Sequence, residues 1–413
     1  METLQSIELS IKRIINYKKN KRATYYIEQN NKKKACDLIK IGFIVFEPES
    51  WDKLQPVYEA MRERAEFDAK LIVVPSFDIS LSIGQYGYER DFFKNKYGEI
   101  IEAVNDNGEI IDLQKYDFDY IFYQDPYNSH YPRKLRSDEV VKYSKICYIP
   151  YGYTVSNNFS RLYAENMSFF RNVTYFFADT EQNGKIIEKL LNKNIKRGIQ
   201  KVKYLGFPPF EEYFGWHKNN QINQITWAPR WSYDKKVGGS HFVEYKDEFI
   251  KLRGLYKDVK LLLRPHPMLF ANMIECGKMT EKEEKEYKKL LAENDIELND
   301  RGAIDDILKK TDLLIADISS IDASFFVTGR PIIYCESKLP PNNEFRMMLE
   351  GIYVARDWTE VLNYLKEICS GNDYLYEKRC EILKNNVFMN HRNATHNILE
   401  FLIEESKTMG ENK

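Results

Sequence analysis

DLLIADISSIDASFFVTGRPIIYCE, residues 312–336, is the stretch that decides the fold. Leu313, Leu314, Ile315 and Ala316 form a short continuous apolar run of the kind carried by a strand buried on both faces, and the run stops at Asp317 and the pair Ser319 and Ser320. Residues 321–327 then read as a short helix. Gly329 ends it, Arg330 and Pro331 turn the chain, and Ile332, Ile333 and Tyr334 open another buried strand. This is a strand, helix, strand unit with polar residues at the carboxyl end of its first strand, where open α/β sheets bind ligands. Ser319 and Ser320 stand at a helix N-terminus, where free N–H groups and the helix dipole favour an anion such as a phosphate. The same two serines can equally serve only as caps.

Upstream, ITWAP (225–229) reads as a strand ending in Arg230 and Trp231, and the apolar strand 259–263 delivers Arg264, Pro265, His266 and Pro267. Helices are expected over 243–256 and 280–292, a strand at 296–300, and mostly helix over 357–369 and 374–406. Farther upstream the same alternation runs through IKIGFIVF (39–46), a helical 51–67, KLIVVPS (70–76), a helix near 86–96 and a short strand at 109–112. FDYIFYQ (118–124), KICYIPYG (145–152), VTYFFAD (173–179) and VKYLGFPP (202–209) continue it, with a helix over 180–194. The expected class is therefore α/β, two doubly wound Rossmann-like domains facing a cleft. Residues 38–209 form the first, and 225–413 the second with its C-terminal helices. The polar, aperiodic segment 210–224, which holds Trp216 and His217, is the linker.

A chain of 413 residues can bury a core in each of two domains, and its high aromatic content, with 29 Tyr and 24 Phe, excludes disorder over most of its length. The 61 Lys and Arg against 62 Asp and Glu give no general electrostatic argument for nucleic acid, so no nucleic-acid partner is expected. The six cysteines, Cys36, Cys147, Cys276, Cys335, Cys369 and Cys380, have no metal spacing and read as reduced thiols of a cytoplasmic protein. No stretch approaches the length of a membrane span, and no signal-peptide core is expected. Residues 1–37 mix Ile7, Leu9, Ile11, Ile14 and Ile15 with Lys12, Arg13, Lys18, Lys19, Lys21, Arg22 and Lys32 to Lys34, a basic amphipathic helical pattern. Such a segment either packs on the first domain or lies on an anionic membrane, each nearby cation adding roughly 1 kcal/mol. Peripheral attachment at the inner face of the membrane is the second of these.

Three strand ends in the second domain carry what a diphosphate needs. Arg230 and Arg264 supply forked donors, and His266, held between prolines, offers a further donor or an acid, or else is a core histidine. Asp317 can accept from a ligand hydroxyl or from its own turn. Glu336 can bind a ribose or glycerol hydroxyl. The acceptor-side candidates of the first domain are Glu47, Glu49, Asp125, Tyr151 and Tyr153; a hydroxyl acceptor wants a base there, and Tyr151 is poor for it with an ordinary pKa near 10. HExxH, GxSxG, the P-loop and GxGxxG are all missing, which disfavours metalloprotease, serine hydrolase, P-loop and ordinary dinucleotide chemistry, and no metal site is expected.

Taken together, WAPRW, RPHP and residues 312–336 resemble the C-terminal domain of the CDP-glycerol glycerophosphotransferase family, the teichoic acid primases and polymerases, with a glycosyltransferase-B fold. The resemblance spans roughly residues 225–336 and is weaker in the first domain. It implies that His266, Ser319 and Ser320 engage the donor pyrophosphate, that no metal or other cofactor is tightly held, and that a nucleotide-activated donor is the substrate. Family members often carry a proposed base in a His-Gly pair; IPYG (149–152) resembles that segment with Tyr151 in place of His. NHRNATHNI loosely resembles a C-terminal family motif, which implies a donor contact for Arg392. The catalytic set expected is thus His266, Tyr151 and Asp125. The activity implied moves glycerol phosphate or a related polyol phosphate from a CDP-activated donor to a cell-surface glycan, teichoic-acid-like or lipid-linked acceptor, releasing CMP. The alternatives are a nucleotide-sugar glycosyltransferase of the same fold in capsule or surface polysaccharide synthesis, and a non-catalytic nucleotide-sugar binder.

Overall fold

The apolar runs of the first half assemble into one seven-stranded sheet. Its strands are β1 Ile39–Val45, β2 Phe67–Val73, β3 Ile101–Glu102, β4 Tyr120–Tyr123, β5 Lys145–Tyr148, β6 Val173–Phe177 and β7 Lys201–Lys203. Their order is β3-β2-β1-β4-β5-β6-β7, and every neighbouring pair is parallel. The structure is a computed structural model and describes residues 2–33, 38–75, 85–157, 159–214, 221–233, 238–300, 304–385, 388 and 390–408. Lys34, Cys36, Trp216 and His217 lie outside these residues, as do the side chains of Ile7, Leu9, Ile11, Lys12 and Arg13.

The second half forms a six-stranded sheet from β8 Gln224–Ala228, β9 Lys260–Leu263, β10 Ile296–Leu298, β11 Leu313–Asp317, β12 Ile332–Cys335 and β13 Tyr353–Ala355. The order is β10-β9-β8-β11-β12-β13, again parallel throughout. Each sheet reverses direction once, between β1 and β4 in the first and between β8 and β11 in the second. At such a point the chains leaving the two strands turn to opposite faces, and a crevice opens at their carboxyl ends.

Burial explains why the strands read as unbroken apolar runs rather than alternating ones. Leu313, Leu314, Ile315 and Ala316 are each fully buried because helices cover both faces of a parallel sheet. Trp227 on β8 is fully buried beside Phe242 and Phe249 of the helix Phe242–Leu255, with ring centroids 5.8 and 5.0 Å away. Burying an aromatic of this size contributes about 1.5–3 kcal/mol. After the helix Ser320–Phe326, Gly329 takes φ +74°, a left-handed stop that glycine reaches without strain. Arg330 then donates to the carbonyls of Leu308, Lys309 and Thr311 at 3.3, 3.0 and 2.6 Å, closing the open end of the helix Ile304–Lys310.

Three expectations change. The strand expected at 109–112 is not one: Ile110 makes only an isolated bridge to Val104, because the Asn105 side chain accepts from the N–H groups of Asn107 and Glu109 and curls the chain there. The chain divides into two compact units, 1–151 with 160–208 and 393–413, and 152–159 with 209–392. The last helix, Ala394–Thr408, therefore belongs to the first unit and not to the second domain. Tyr175 Oη donates to Glu405 at 2.9 Å, Lys201 pairs with Glu405 at 2.6 Å and Arg64 with Glu400 at 2.5 Å, while Ile398, Leu399 and Leu402 are buried. The N-terminal helix Glu2–Asn31 docks on the first unit through its last turns. Ala23 and Ile27 are buried, and Asn30 Nδ2 donates to the Val141 and Ser144 carbonyls at 2.7 and 3.1 Å. Residues 14–22 are exposed on every face.

Candidate active site

In the second unit, β8, β9 and β11 are neighbours and end level with one another: Trp227 pairs with Leu263, and Ala228 with Ala316. The turns carrying Arg230, His266 and Ser319 thus leave the sheet together at its switch point. Asp317, the last residue of β11, is fully buried. One of its oxygens accepts the Arg230 and His241 N–H groups at 2.8 and 3.1 Å, and the other meets His241 Nδ1 at 2.6 Å. Both oxygens are taken by protein donors, which corrects the expectation that Asp317 meets a ligand. It organises the turn, as a local acceptor does.

Sequence reasoning missed His241. Desolvation opposes its protonation, yet the Asp317 carboxylate lifts its imidazole above the ordinary value. The available signal was the pair Gly238 and Gly239 before the helix. Gly239 has φ +89°, and a Cβ there would stand 2.8 Å from the Leu339 side chain, so the chain must pass tightly at this point to set His241 against Asp317. Arg230 joins the same frame, donating through Nε to the Gly238 carbonyl at 3.0 Å and through Nη1 to the Ile318 carbonyl at 2.7 Å. Its guanidinium therefore ties two turns together besides presenting charge.

Arg264 is buried and donates to the Asn299 carbonyl at 3.0 Å. His266 follows it at the surface, its ring 6.1 Å from that of Trp231, and its Nδ1 accepts the Met268 N–H at 3.1 Å. The neutral ring then carries its proton on Nε2. Desolvation and the Arg230 and Arg264 guanidiniums push the imidazole down to about 4. Since the residue as a whole stays exposed, the cations are the part of this shift that a bound anion reverses. At neutral pH His266 is a hydrogen-bond donor and not a ready acid.

Ser319 serves in a capping box: its N–H donates to Asp322 at 2.8 Å while its hydroxyl takes the Asp322 N–H. The N–H groups of Ser320 and Ile321 have no intrahelical acceptor, as at any helix start. Gly152 comes so near that a Cβ would meet the Ser320 Cβ and Oγ at 3.5 Å. Glu336 follows β12 at the same end of the sheet, exposed and 3.7 Å from Arg356. Arg392 lies over the Phe214 ring at 4.5 Å, and no contact joins it to the three strand ends among the described residues. A recess lined by Lys257, Lys260 and Glu297 opens at the amino ends of β9 and β10, the wrong end of a parallel sheet for a switch-point ligand.

In the first unit, Asp125 follows β4 and is buried. Its carboxylate accepts from the Tyr127 N–H and the Tyr131 hydroxyl at 3.0 Å each, and meets His130 Nδ1 at 2.5 Å. Tyr151 Oη lies 3.0 Å from Tyr127 Oη, and desolvation raises its pKa, so even less of it is present as the phenolate that a base requires. Glu47 accepts from Ser50 Oγ at 2.7 Å, and Glu49 accepts from the Tyr88 hydroxyl. Tyr153 is not an acceptor-side residue: it is buried in the second unit, its ring 4.6 Å from Phe210 and 5.7 Å from His391.

Residues 210–404, which carry all three converging strand ends, match the family described as CDP-glycerol:poly(glycerophosphate) glycerophosphotransferase. The match covers the second half of the chain, which is similar to this family. The resemblance read from WAPRW, RPHP and residues 312–336 is thereby borne out, and the protein is a glycerophosphotransferase-like transferase. Among solved structures, the UDP-GlcNAc 2-epimerase from Neisseria meningitidis bound to UDP-GlcNAc has a TM-score of 0.58 at 13% identity, over 89% of this chain and 100% of that one. The S. aureus MnaA-UDP co-structure gives 0.57 at 13%, over 91% and 99%. The wall teichoic acid polymerase TagF gives 0.54 at 15%, over 99% and 98%. At such identities the likeness carries the fold alone, and that fold is the expected glycosyltransferase-B type with its two doubly wound domains. No curated protein matches the sequence.

Proposed function

We propose that this glycerophosphotransferase-like enzyme moves glycerol phosphate, or a related polyol phosphate, from a CDP-activated donor to a hydroxyl of a cell-surface glycan or teichoic-acid-like acceptor and releases CMP. The observation that carries the proposal is the level convergence of the Arg264-His266 turn, the Arg230 turn and the Ser319-Ser320 helix start inside the family-matching segment. The buried cation and the neutral imidazole with its proton on Nε2 suit a diphosphate, and the N–H groups of Ser320 and Ile321 add donors. Asp317 and His241 hold the Arg230 turn in place. The donor is a substrate, and no tightly bound cofactor is invoked.

The N-terminal helix extends the proposal to a lipid-linked acceptor at an anionic membrane. Residues 14–22 carry Ile14, Ile15 and Tyr17 together with Lys18, Lys19, Lys21 and Arg22, all exposed. No helix among the described residues is long and apolar enough to cross a membrane, so attachment is peripheral. Full-length protein should float with anionic liposomes better than a version starting at Leu38; equal recovery removes this part.

The donor is tested by thermal stabilisation with nucleotides and by mass spectrometry of transfer reactions. CMP or CDP at 100 times its Kd should stabilise the protein by about 2.7 kcal/mol, and CDP-glycerol with a glycan acceptor should yield CMP. Preference for UDP or GDP would turn the reading into that of a nucleotide-sugar glycosyltransferase.

A further inference from the structure

We propose that His241, clamped by Asp317, is the acid of the donor seat: its Nε2–H meets the diphosphate and gives its proton to the oxygen that leaves with CMP. The inference rests on the transfer reaction proposed above. As the acceptor oxygen forms its bond to the β-phosphorus of the donor, the bond from that phosphorus to the bridging oxygen breaks. Its electron pair stays with CMP, where the His241 proton joins it. The proton of the acceptor hydroxyl is released to solvent, from which His241 recovers its own, so no further reactant is needed.

All the residues of this arrangement lie in the second unit, at the switch point between β8 and β11. His241 immediately precedes the helix Phe242–Leu255 that follows β8, and Ser319 immediately precedes the helix Ser320–Phe326 that follows β11. The Arg230 guanidinium bridges the two approaches through the Gly238 and Ile318 carbonyls, which brings His241 into the seat that Ser319 and Ser320 form. The imidazole itself is held twice. Its ring lies flat on that of Tyr245, centroids 5.2 Å apart and planes 13° apart, and its Nδ1 donates to buried Asp317 at 2.6 Å. Because Nδ1 points at Asp317 on the floor of the crevice, Nε2 faces away from that floor. Nε2 has no hydrogen-bond partner among the described residues and is not buried, in a side chain 21% exposed. A ring fixed on one side with one donor left over is the geometry of an acid held for a ligand.

The charged and titratable groups facing His241 are Asp317 on β11, Glu244 and Tyr245 on its own helix, and Arg230 across the shared carboxylate. Desolvation opposes protonation, but the bond to Asp317 and the charges of Asp317 and Glu244 outweigh it and raise the imidazole. His266, in the same seat, is pushed the other way. One seat thus holds two imidazoles of separated proton affinity, the higher fitted to act as an acid and the lower to give a plain hydrogen bond.

His241→Asn and Asp317→Asn test the proposal, with folding followed by urea melts. In His241→Asn the amide nitrogen can take the Nδ1 place against Asp317 while nothing stands for Nε2, so a role confined to holding the turn would leave transfer near wild type. The expected result is a fall in kcat of about 100- to 10,000-fold with unfolding little changed. The alkaline limb of the wild-type pH–rate profile should lie above the ordinary histidine value near 6.5, and Asp317→Asn should move it down toward that value. Transfer by His241→Asn within threefold of wild type, or an alkaline limb that Asp317→Asn leaves in place, overturns the assignment. If wild type transfers nothing from CDP-glycerol, the donor reading fails by itself, and NMR titration of the His241 ring with inorganic pyrophosphate still decides the seat. A ring whose titration moves up with pyrophosphate supports the assignment, and a ring that ignores pyrophosphate overturns it.

Discussion

Asp317→Ala removes a fully buried carboxylate and strands three donors: the N–H groups of Arg230 and His241, and the His241 ring. Each buried donor left without a partner costs about 1–3 kcal/mol. The His241 side chain is 21% exposed, so water recovers part of the ring's share. We therefore expect a loss of about 3–5 kcal/mol of stability in the second unit. Asp317→Asn keeps the shape. Its amide oxygen can still accept both N–H groups and its amide nitrogen can donate to His241 Nδ1, so only charge assistance is lost, about 1 kcal/mol. The pH sign follows from His241. Its folded value is raised, so the contribution of the pair is full below the ordinary value near 6.5 and is lost as the pH rises through the folded value. The Asp317→Asn deficit should thus shrink at alkaline pH. Urea unfolding followed by tryptophan fluorescence, with Trp227 and Trp231 in this unit, gives the numbers. An Asp317→Ala variant as stable as wild type that has lost nucleotide binding would refute the reasoning, because the carboxylate would then be facing the ligand.

Other outcomes follow from the same geometry. The His266 ring should titrate near 4 in free protein and move up when CDP is added, read by NMR; a ring that titrates near 6.5 and ignores CDP would separate it from the two arginines. Ser319→Ala should cost about 1 kcal/mol of stability through its cap, whereas Ser320→Ala should leave unfolding unchanged and weaken nucleotide binding, measured by calorimetry. His391, buried among the rings of Tyr153, Phe210 and Phe388, is pushed down to about 4 by desolvation. The unfolded chain therefore binds the extra proton first, and stability should fall between pH 6.5 and 4 by about 3 kcal/mol. His391→Phe should flatten that slope in urea melts taken across the window.

The parts of this protein that periodicity encodes were readable. A parallel strand covered on both faces has to be apolar without interruption, so ITWAP, 259–263 and 313–316 announce themselves, and the turns that follow them define the site. Arg330 was readable as structural from its place after a glycine stop. Side-chain partnership across long separations was not. Asp317 and His241 are 76 positions apart, and nothing in either segment's local pattern points to the other. Asp125 and His130 are five apart and were within reach, because an aspartate and a histidine framing one turn at a strand end are a recognisable pair. The segment that resembles the family's His-Gly pair points to Tyr151 instead. The last helix was read correctly as a helix and placed in the wrong unit, since an amphipathic face does not name the surface that covers it.

That placement bears on how the protein is made. The first unit needs residues 393–413, which leave the ribosome after the whole of the second unit's 209–392. At about 5–20 residues per second, roughly 10–40 seconds pass between the two events. Through that interval the surface that will hold Ile398, Leu399 and Leu402 is uncovered, while Arg64, Tyr175 and Lys201 await Glu400 and Glu405. The second unit, complete by residue 392, can fold first. Order of synthesis and order of completion are thus reversed in this chain, and the nascent first unit keeps that apolar surface uncovered until the C-terminal helix arrives.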